Sequence, residues 1–250
     1  MPRSRDLTWD GTLNVRDLGG HPTEDGGETR FGSVVRADSV SQLTPAGWQA
    51  LAEYGIRTVV DLRGDHEREE DPPRELPVDV QHVPFMEASD EEWEEIAGEL
   101  ERLDDLPVAD ATRDAYLIFL ERFKSNVGAA VRAVAEAPEG GVVIHCVGGK
   151  DRTGLLAALL LHLAGVPAED IAADYALSEE RLRPRHEGWF KAAETEAELK
   201  RLQRIAQTPP EAISGVFDEL ERHYGSIEGY LRDAGLSEDG LGRARSRLRG

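Results

Sequence analysis

Cys146 is the only cysteine in a chain of 250 residues, and five residues separate it from Arg152 in the run His145-Cys146-Val147-Gly148-Gly149-Lys150-Asp151-Arg152-Thr153-Gly154. A thiolate and a guanidinium at this spacing can cooperate on a phosphoryl group. The sulfur attacks phosphorus, while the planar fork of Arg152 holds two oxygens and matches the equatorial oxygens of the transition state. The spacing alone is weak, because arginine is frequent in this chain; its surroundings make it specific. Backbone N–H groups of Val147 through Arg152 can converge on a phosphate dianion at the start of a helix, aided by the helix dipole. Gly148 and Gly149 let the backbone turn tightly without a Cβ clash. The same amides and Arg152 favour the thiolate form of Cys146. Thr153 can donate its hydroxyl to the sulfur and improve it as a leaving group in a second step. A nucleotide-binding phosphate loop is excluded, because Asp151 follows Lys150 where that motif requires Ser or Thr.

The elements around this run must deliver the thiol. Val142-Val143-Ile144 reads as a strand entering the loop, and Leu155–Leu163 as an apolar helix leaving it. His145 alternates with Cys146, so it faces the other side of the strand and reads as a buried, hydrogen-bonded scaffold residue. Further β-branched runs at Ser33–Arg36, Thr58–Leu62 and Val78–Val83 predict strands. Helices are expected from Pro45 through Leu51, with Thr44 as N-cap, from Arg113 to Phe123 and from Val127 to Ala135. After Gly154 the pattern is helical throughout, with helices at Leu155–Ala164, Ala168–Leu177, Glu187–Ile205, Glu211–Tyr224, Ser226–Asp233 and from Glu238. Strands alternating with helices imply an α/β domain around a mostly parallel sheet, followed by a helical C-terminal half. The length and the interior runs favour a single domain over residues 1–250.

Composition narrows the partners. The formal net charge of −20 argues against nucleic acid, whose binding needs a basic surface. An anionic substrate must therefore be drawn to a local positive site against the field of the whole protein. Positive charge is written almost wholly as arginine; lysine occurs only at Lys124, Lys150, Lys191 and Lys200. Lys150 inside the key loop is therefore notable, either adding charge for a second phosphate or holding the loop through a carboxylate. No apolar run reaches the ~20 residues of a membrane span, and the N-terminus has no apolar signal region. With one cysteine there is no internal disulfide, in keeping with a reducing cytoplasm.

The loop resembles the signature of the bacterial atypical tyrosine phosphatases. Asn14-Val15-Arg16-Asp17-Leu18-Gly19-Gly20 resembles that family's N-terminal motif, and Val59-Val60-Asp61-Leu62-Arg63 its second strand. Asp174-Tyr175-Ala176-Leu177-Ser178 and His223–Leu231 resemble its helical half more softly. The resemblance implies a cysteine-phosphatase-like fold, no metal or other cofactor, and activity on phosphotyrosine extending to phosphoserine, phosphothreonine or phosphoinositides. It also implies a helical lid near 181–207. The acid-rich segment at 87–110 is a second candidate cover, its other reading being a solvated amphipathic helix.

Cysteine phosphatases need an acid for the leaving oxygen, and no Trp-Pro-Asp loop is present here. Asp151 is the first candidate, since like charge from the thiolate and phosphate keeps its carboxyl protonated enough to donate. Asp61 is the second, at the end of a strand neighbouring that of Cys146; its alternative is a salt bridge with Arg63 or Arg16. Arg16 and Asp17 read as a structural pair under the loop. The leading function is a metal-independent phosphomonoester hydrolase acting through a phosphocysteine. The alternatives are a catalytically silent phosphate-binding adaptor and, with less support, a sulfurtransferase.

Overall fold

A computed structural model describes residues 3–71 and 78–249. Five strands form one sheet in the order β1-β2-β5-β3-β4. They are β1 (Arg16–Asp17), β2 (Val34–Ala37), β3 (Ile56–Asp61), β4 (Asp79–His82) and β5 (Gly141–His145). β1 runs antiparallel to β2, and every other pairing is parallel. β5 lies at the centre between β2 and β3, and all its residues are buried. A strand covered on both faces can be apolar without alternation, which is why Val142-Val143-Ile144 reads as a continuous run.

Alternate residues of β5 feed two separate cores. Val142, Ile144 and Cys146 join the larger one, built against α5 (Lys124–Glu136), α6 (Arg152–Leu163), α9 (Pro210–Tyr224) and α11 (Glu238–Arg249). Val143 joins the smaller one with Trp9, Leu43 and Leu51 beside α1 (Pro45–Tyr54). α6 is buried almost all round, from Thr153 through Leu161. A helix apolar on every side can only sit inside a protein, and this placement fixes where the loop must end.

Several boundaries follow local chemistry. The Thr44 hydroxyl accepts from the Gly47 N–H and Pro45 opens α1. Ser89 and Glu92 close a reciprocal cap on α3 (Asp90–Glu101). In that helix Ile96 is buried, Trp93 packs on Phe123, and Glu95 and Glu99 meet Arg122 of α4 (Val108–Arg122).

The main departure from the sequence reading is α7, which runs unbroken over Ala168–Ala192 with Pro184 inside it. The expected break after Leu177 does not occur. Proline removes one intrahelical hydrogen bond, but Leu182 and His186 are buried on either side of it. Arg181 and Arg185 also tie the helix to the Val15 and Val147 carbonyls. The chain breaks instead at Ala193, and Thr195 caps a separate α8 (Glu196–Ala206). α2 (Asp65–Glu70), α10 (Ile227–Asp233) and the short β1 are further elements among the described residues, α2 and β1 being unanticipated. The C-terminal arginines meet groups of their own chain. Arg243 pairs with Glu136, Arg245 bonds the Leu163 carbonyl, Arg247 bonds those of Pro138 and Gly140, and Arg249 pairs with Asp25.

Candidate active site

The loop between β5 and α6 carries Cys146 at its start, with the residue only 3% exposed. Gly149 adopts φ +65°, and a Cβ there would lie 2.5 Å from the Ala37 carbonyl oxygen. Only glycine fits. Gly148 differs from expectation, for it has no positive φ and the nearest atom to a Cβ would be Arg185 Nη1 at 3.9 Å.

The loop carbonyls are each held by donors from outside the loop. Asn14 Nδ2 donates to the Gly148 and Gly149 carbonyls, both at 3.1 Å, and Arg36 Nη2 donates to that of Gly149 at 2.8 Å. The Val147 carbonyl accepts from the Ser39 N–H at 3.0 Å and from Arg185 Nη1 at 3.2 Å. In a trans peptide the N–H points opposite to the carbonyl. The N–H groups of Gly148, Gly149 and Lys150 are thereby turned toward the other side of the loop, and none donates to a protein group among the described residues.

A buried ionic cluster supports these donors. Asp174 of α7 receives Arg16 Nε and Arg36 Nη1, each at 2.8 Å, and Arg16 Nη1 also bonds Asn14 Oδ1 at 2.6 Å. Burial pushes Arg16 down to about 9, with Arg36 adding to the effect. Burial disfavours the Asp174 carboxylate too, but the two guanidiniums outweigh it and hold that carboxyl well below the usual range. Arg16 is thus partnered by Asp174. Asp17 instead accepts from the N–H groups of Gly19 and Gly32 and from the Tyr54 hydroxyl, so the expected Arg16–Asp17 pair is not formed.

His145 and Asp61 are direct partners in the β3–β5 register and lie on the face away from Cys146. His145 Nδ1 donates to the Cys146 carbonyl at 3.1 Å, and burial pushes its pKa down to about 4. Asp61 accepts from Arg63 Nε at 2.9 Å and Nη2 at 2.8 Å. Burial opposes its ionisation, but Arg63 prevails and the carboxyl is lowered. A carboxylate held in this way braces the strand end and is poorly placed to give a proton.

Asp151 is different. Its side chain is 47% exposed, and Oδ1 accepts from the Tyr116 hydroxyl at 2.6 Å, which is itself 2.8 Å from that of Tyr175. Tyr116 comes from α4, and the sequence alone offered no sign of it. Lys150 is buried, with Nζ bonded to the Ile205 carbonyl at the end of α8 and 3.4 Å from Asp151 Oδ1. Arg152 is engaged by both carboxylate oxygens of Glu67, with Nη2 to Oε1 at 2.7 Å. Burial opposes the Glu67 charge, yet the Arg152 bond keeps its carboxyl low. The one local sign of Glu67 is its place three residues after Gly64, whose N–H it accepts at 2.8 Å to cap α2. Thr153 is fully buried and its hydroxyl makes no hydrogen bond among the described residues; the expected bond to sulfur is not made here. Between α2, α3 and the loop lies an open cleft of about 870 Å³, whose lining includes Asp151, Arg152 and Trp93. No helix among the described residues is long and apolar enough to cross a membrane.

A buried thiol, three loop amides without a protein partner among the described residues, and an arginine and a carboxyl at the rim together make a cradle suited to an anion. Residues 7–250 match the model of the tyrosine phosphatase family, and the chain belongs to that family of hydrolases. It is 30% identical to a tyrosine-protein phosphatase of Nostoc commune over 86% of this chain and 74% of that protein. It is 29% identical to the triple specificity protein phosphatase PtpB of Mycobacterium tuberculosis over 96% of this chain and 98% of that one. A putative tyrosine-protein phosphatase of Cupriavidus necator shares 27% identity over 92% and 84%.

Proposed function

We propose that this phosphatase hydrolyses phosphotyrosine through a phosphocysteine intermediate. The observation that carries the reading is the outward anchoring of the Val147, Gly148 and Gly149 carbonyls, which leaves three amide donors free beside Cys146 and Arg152. In the first step the thiolate of Cys146 attacks phosphorus. The S–P bond forms as the P–O bond to the leaving oxygen breaks, and Asp151 gives its proton to that oxygen. The amides and Arg152 hold the peripheral oxygens throughout. In the second step Asp151 takes a proton from water, the new P–O bond forms, the P–S bond breaks, and the unpartnered Thr153 hydroxyl donates to the departing sulfur. Tyr116 orients Asp151 between the steps, and Glu67 orients Arg152. The end of α7 together with α8 acts as a cover, being joined to the loop through Arg185 and Lys150. Wider acceptance, of phosphoserine, phosphothreonine or phosphoinositide, is an extension that the triple specificity relative favours.

The test is rapid-mixing kinetics on an aryl phosphate. The wild type releases a burst of phenol in an amount equal to the enzyme, and vanadate inhibits it. Cys146→Ser loses turnover altogether but still binds phosphate. Asp151→Asn slows turnover about 10²-fold or more, the usual worth of a positioned acid, with phosphate binding retained. Full turnover in Cys146→Ser would remove the covalent mechanism, and full turnover in Asp151→Asn would remove the acid assignment.

A further inference from the structure

Two clefts meet at Asp151 and Phe119, and their chemistry is opposite. The first, which runs past Arg152, is bordered by Asp65, Glu69, Glu87 and Asp90. The second, about 600 Å³, lies between α4 and α8 and is walled by Leu103, Val108, Ala111, Phe119 and Ile205. Its charged groups are Lys150, Lys200, Arg201 and Arg204 against Asp104 and Asp151. In a chain of net charge −20 this is a local inversion of sign. Three of the cations already have partners: Lys150 and Arg204 bond the Ile205 and Leu106 carbonyls, and Lys200 pairs with Glu196. Arg201 is exposed and makes no ion pair or hydrogen bond among the described residues. Beside it Ile205 is 46% exposed, the most exposed large apolar side chain among those residues.

We propose that the second groove is a specificity subsite for phosphoproteins, taking an apolar side chain and a neighbouring acidic residue from one side of the phosphorylated residue. The acid-bordered cleft then receives basic residues from the other side. The proposal rests on the phosphatase reading of Cys146 and adds to it the character of the flanking chain. An extended peptide advances about 3.3 Å per residue, so residues a few positions from the phosphate pass over Asp151 into the groove. The apolar side chain is recognised by burial against Phe119 and Ile205. The acidic residue meets Arg201, where the pair itself contributes little but a wrong sign is penalised. A phosphoinositide fits less well. Its polyanionic head would stand against the carboxylates of the first cleft, and an acidic protein is repelled by an anionic leaflet.

The experiment compares kcat/KM on five substrates: a phosphotyrosine peptide with an apolar-acidic flank and a basic flank, made in both orders; an alanine-flanked phosphotyrosine peptide; a short-chain phosphoinositide; and p-nitrophenyl phosphate. One order of the charged peptide is expected to exceed the alanine-flanked peptide by about tenfold, equivalent to ~1.4 kcal/mol. Arg201→Glu and Ile205→Ser each erase most of that advantage, chiefly through KM. Equal values for all the peptides, with p-nitrophenyl phosphate still turned over, would overturn the subsite and spare the phosphatase reading. Preference for the phosphoinositide would overturn it as well. Absence of turnover on every substrate, p-nitrophenyl phosphate included, would instead sink the phosphatase reading itself.

Discussion

Behind the loop, Asn14, Arg16, Arg36 and Asp174 are at most 2% exposed and tie the carbonyls through hydrogen bonds that water does not reach. In front of it, Trp189 and Ile205 are 40% and 46% exposed, and the polar contacts with the loop are one bond each through Arg185, Lys150 and Tyr116 and the Glu67 pair on Arg152. The rear is a fixed mould that sets where the amides point. The front is a set of separable contacts that touch the loop one residue at a time. Stability therefore resides behind the loop, and selectivity in front of it.

The largest expected effect comes from breaking the rear. Asp174→Asn leaves Arg16 and Arg36 buried without a counter-charge, a change that costs about 3–5 kcal/mol in such settings. At about 2–4 °C per kcal/mol for a chain of this size, thermal denaturation should show a drop of roughly 10 °C. A loss below about 1 kcal/mol would mean that the rear is no mould, and the contrast would collapse.

Acid should next weaken the strand end that carries the loop. His145 is pushed down to about 4 in the fold against an ordinary 6.5. The unfolded chain therefore binds the proton first, so the stabilisation is complete above about 6.5 and is lost as pH falls toward about 4. The loss is on the order of 3 kcal/mol by the lower end. Denaturation midpoints measured from pH 7 to pH 4 should fall in that window, and His145→Asn should flatten the slope. An unchanged slope would place the acid sensitivity elsewhere.

The front should respond least in stability. Arg185→Ala removes one donor from the Val147 carbonyl and one from the buried Asp38, whose carboxylate keeps the Leu13 and Asn14 N–H groups. A loss of about 1–2 kcal/mol is expected, with weaker inhibition by inorganic phosphate as the more sensitive readout. A loss as large as that of Asp174→Asn would make front and rear one unit.

How much of this was legible follows from sequence distance. The strand, loop and helix around Cys146 are contiguous, so period and glycine content were enough to read them. Asp61 and Arg63 lie two residues apart, and their pairing was among the options. Glu67, Tyr116 and Asp174 reach the loop from three different helices, and nothing local marks a residue for a contact that far along the chain. Asp174 stood inside a recognisable motif, yet its role came only with its two arginine partners. The break expected after Leu177 does not occur because the burial of Leu182 and His186 on either side of Pro184 outweighs local helix propensity.

The sequence by itself determined that a thiol, a guanidinium and a carboxyl occupy one turn between a buried strand and a buried helix, because all of these are neighbours along the chain. Tertiary structure decided what that turn can hold. Which way each peptide group faces depends on partners for its carbonyl, and those come from the segment before β1, from β2 and from α7. A backbone polar group takes the direction of whichever partner burial leaves it, and in this protein that partner is remote.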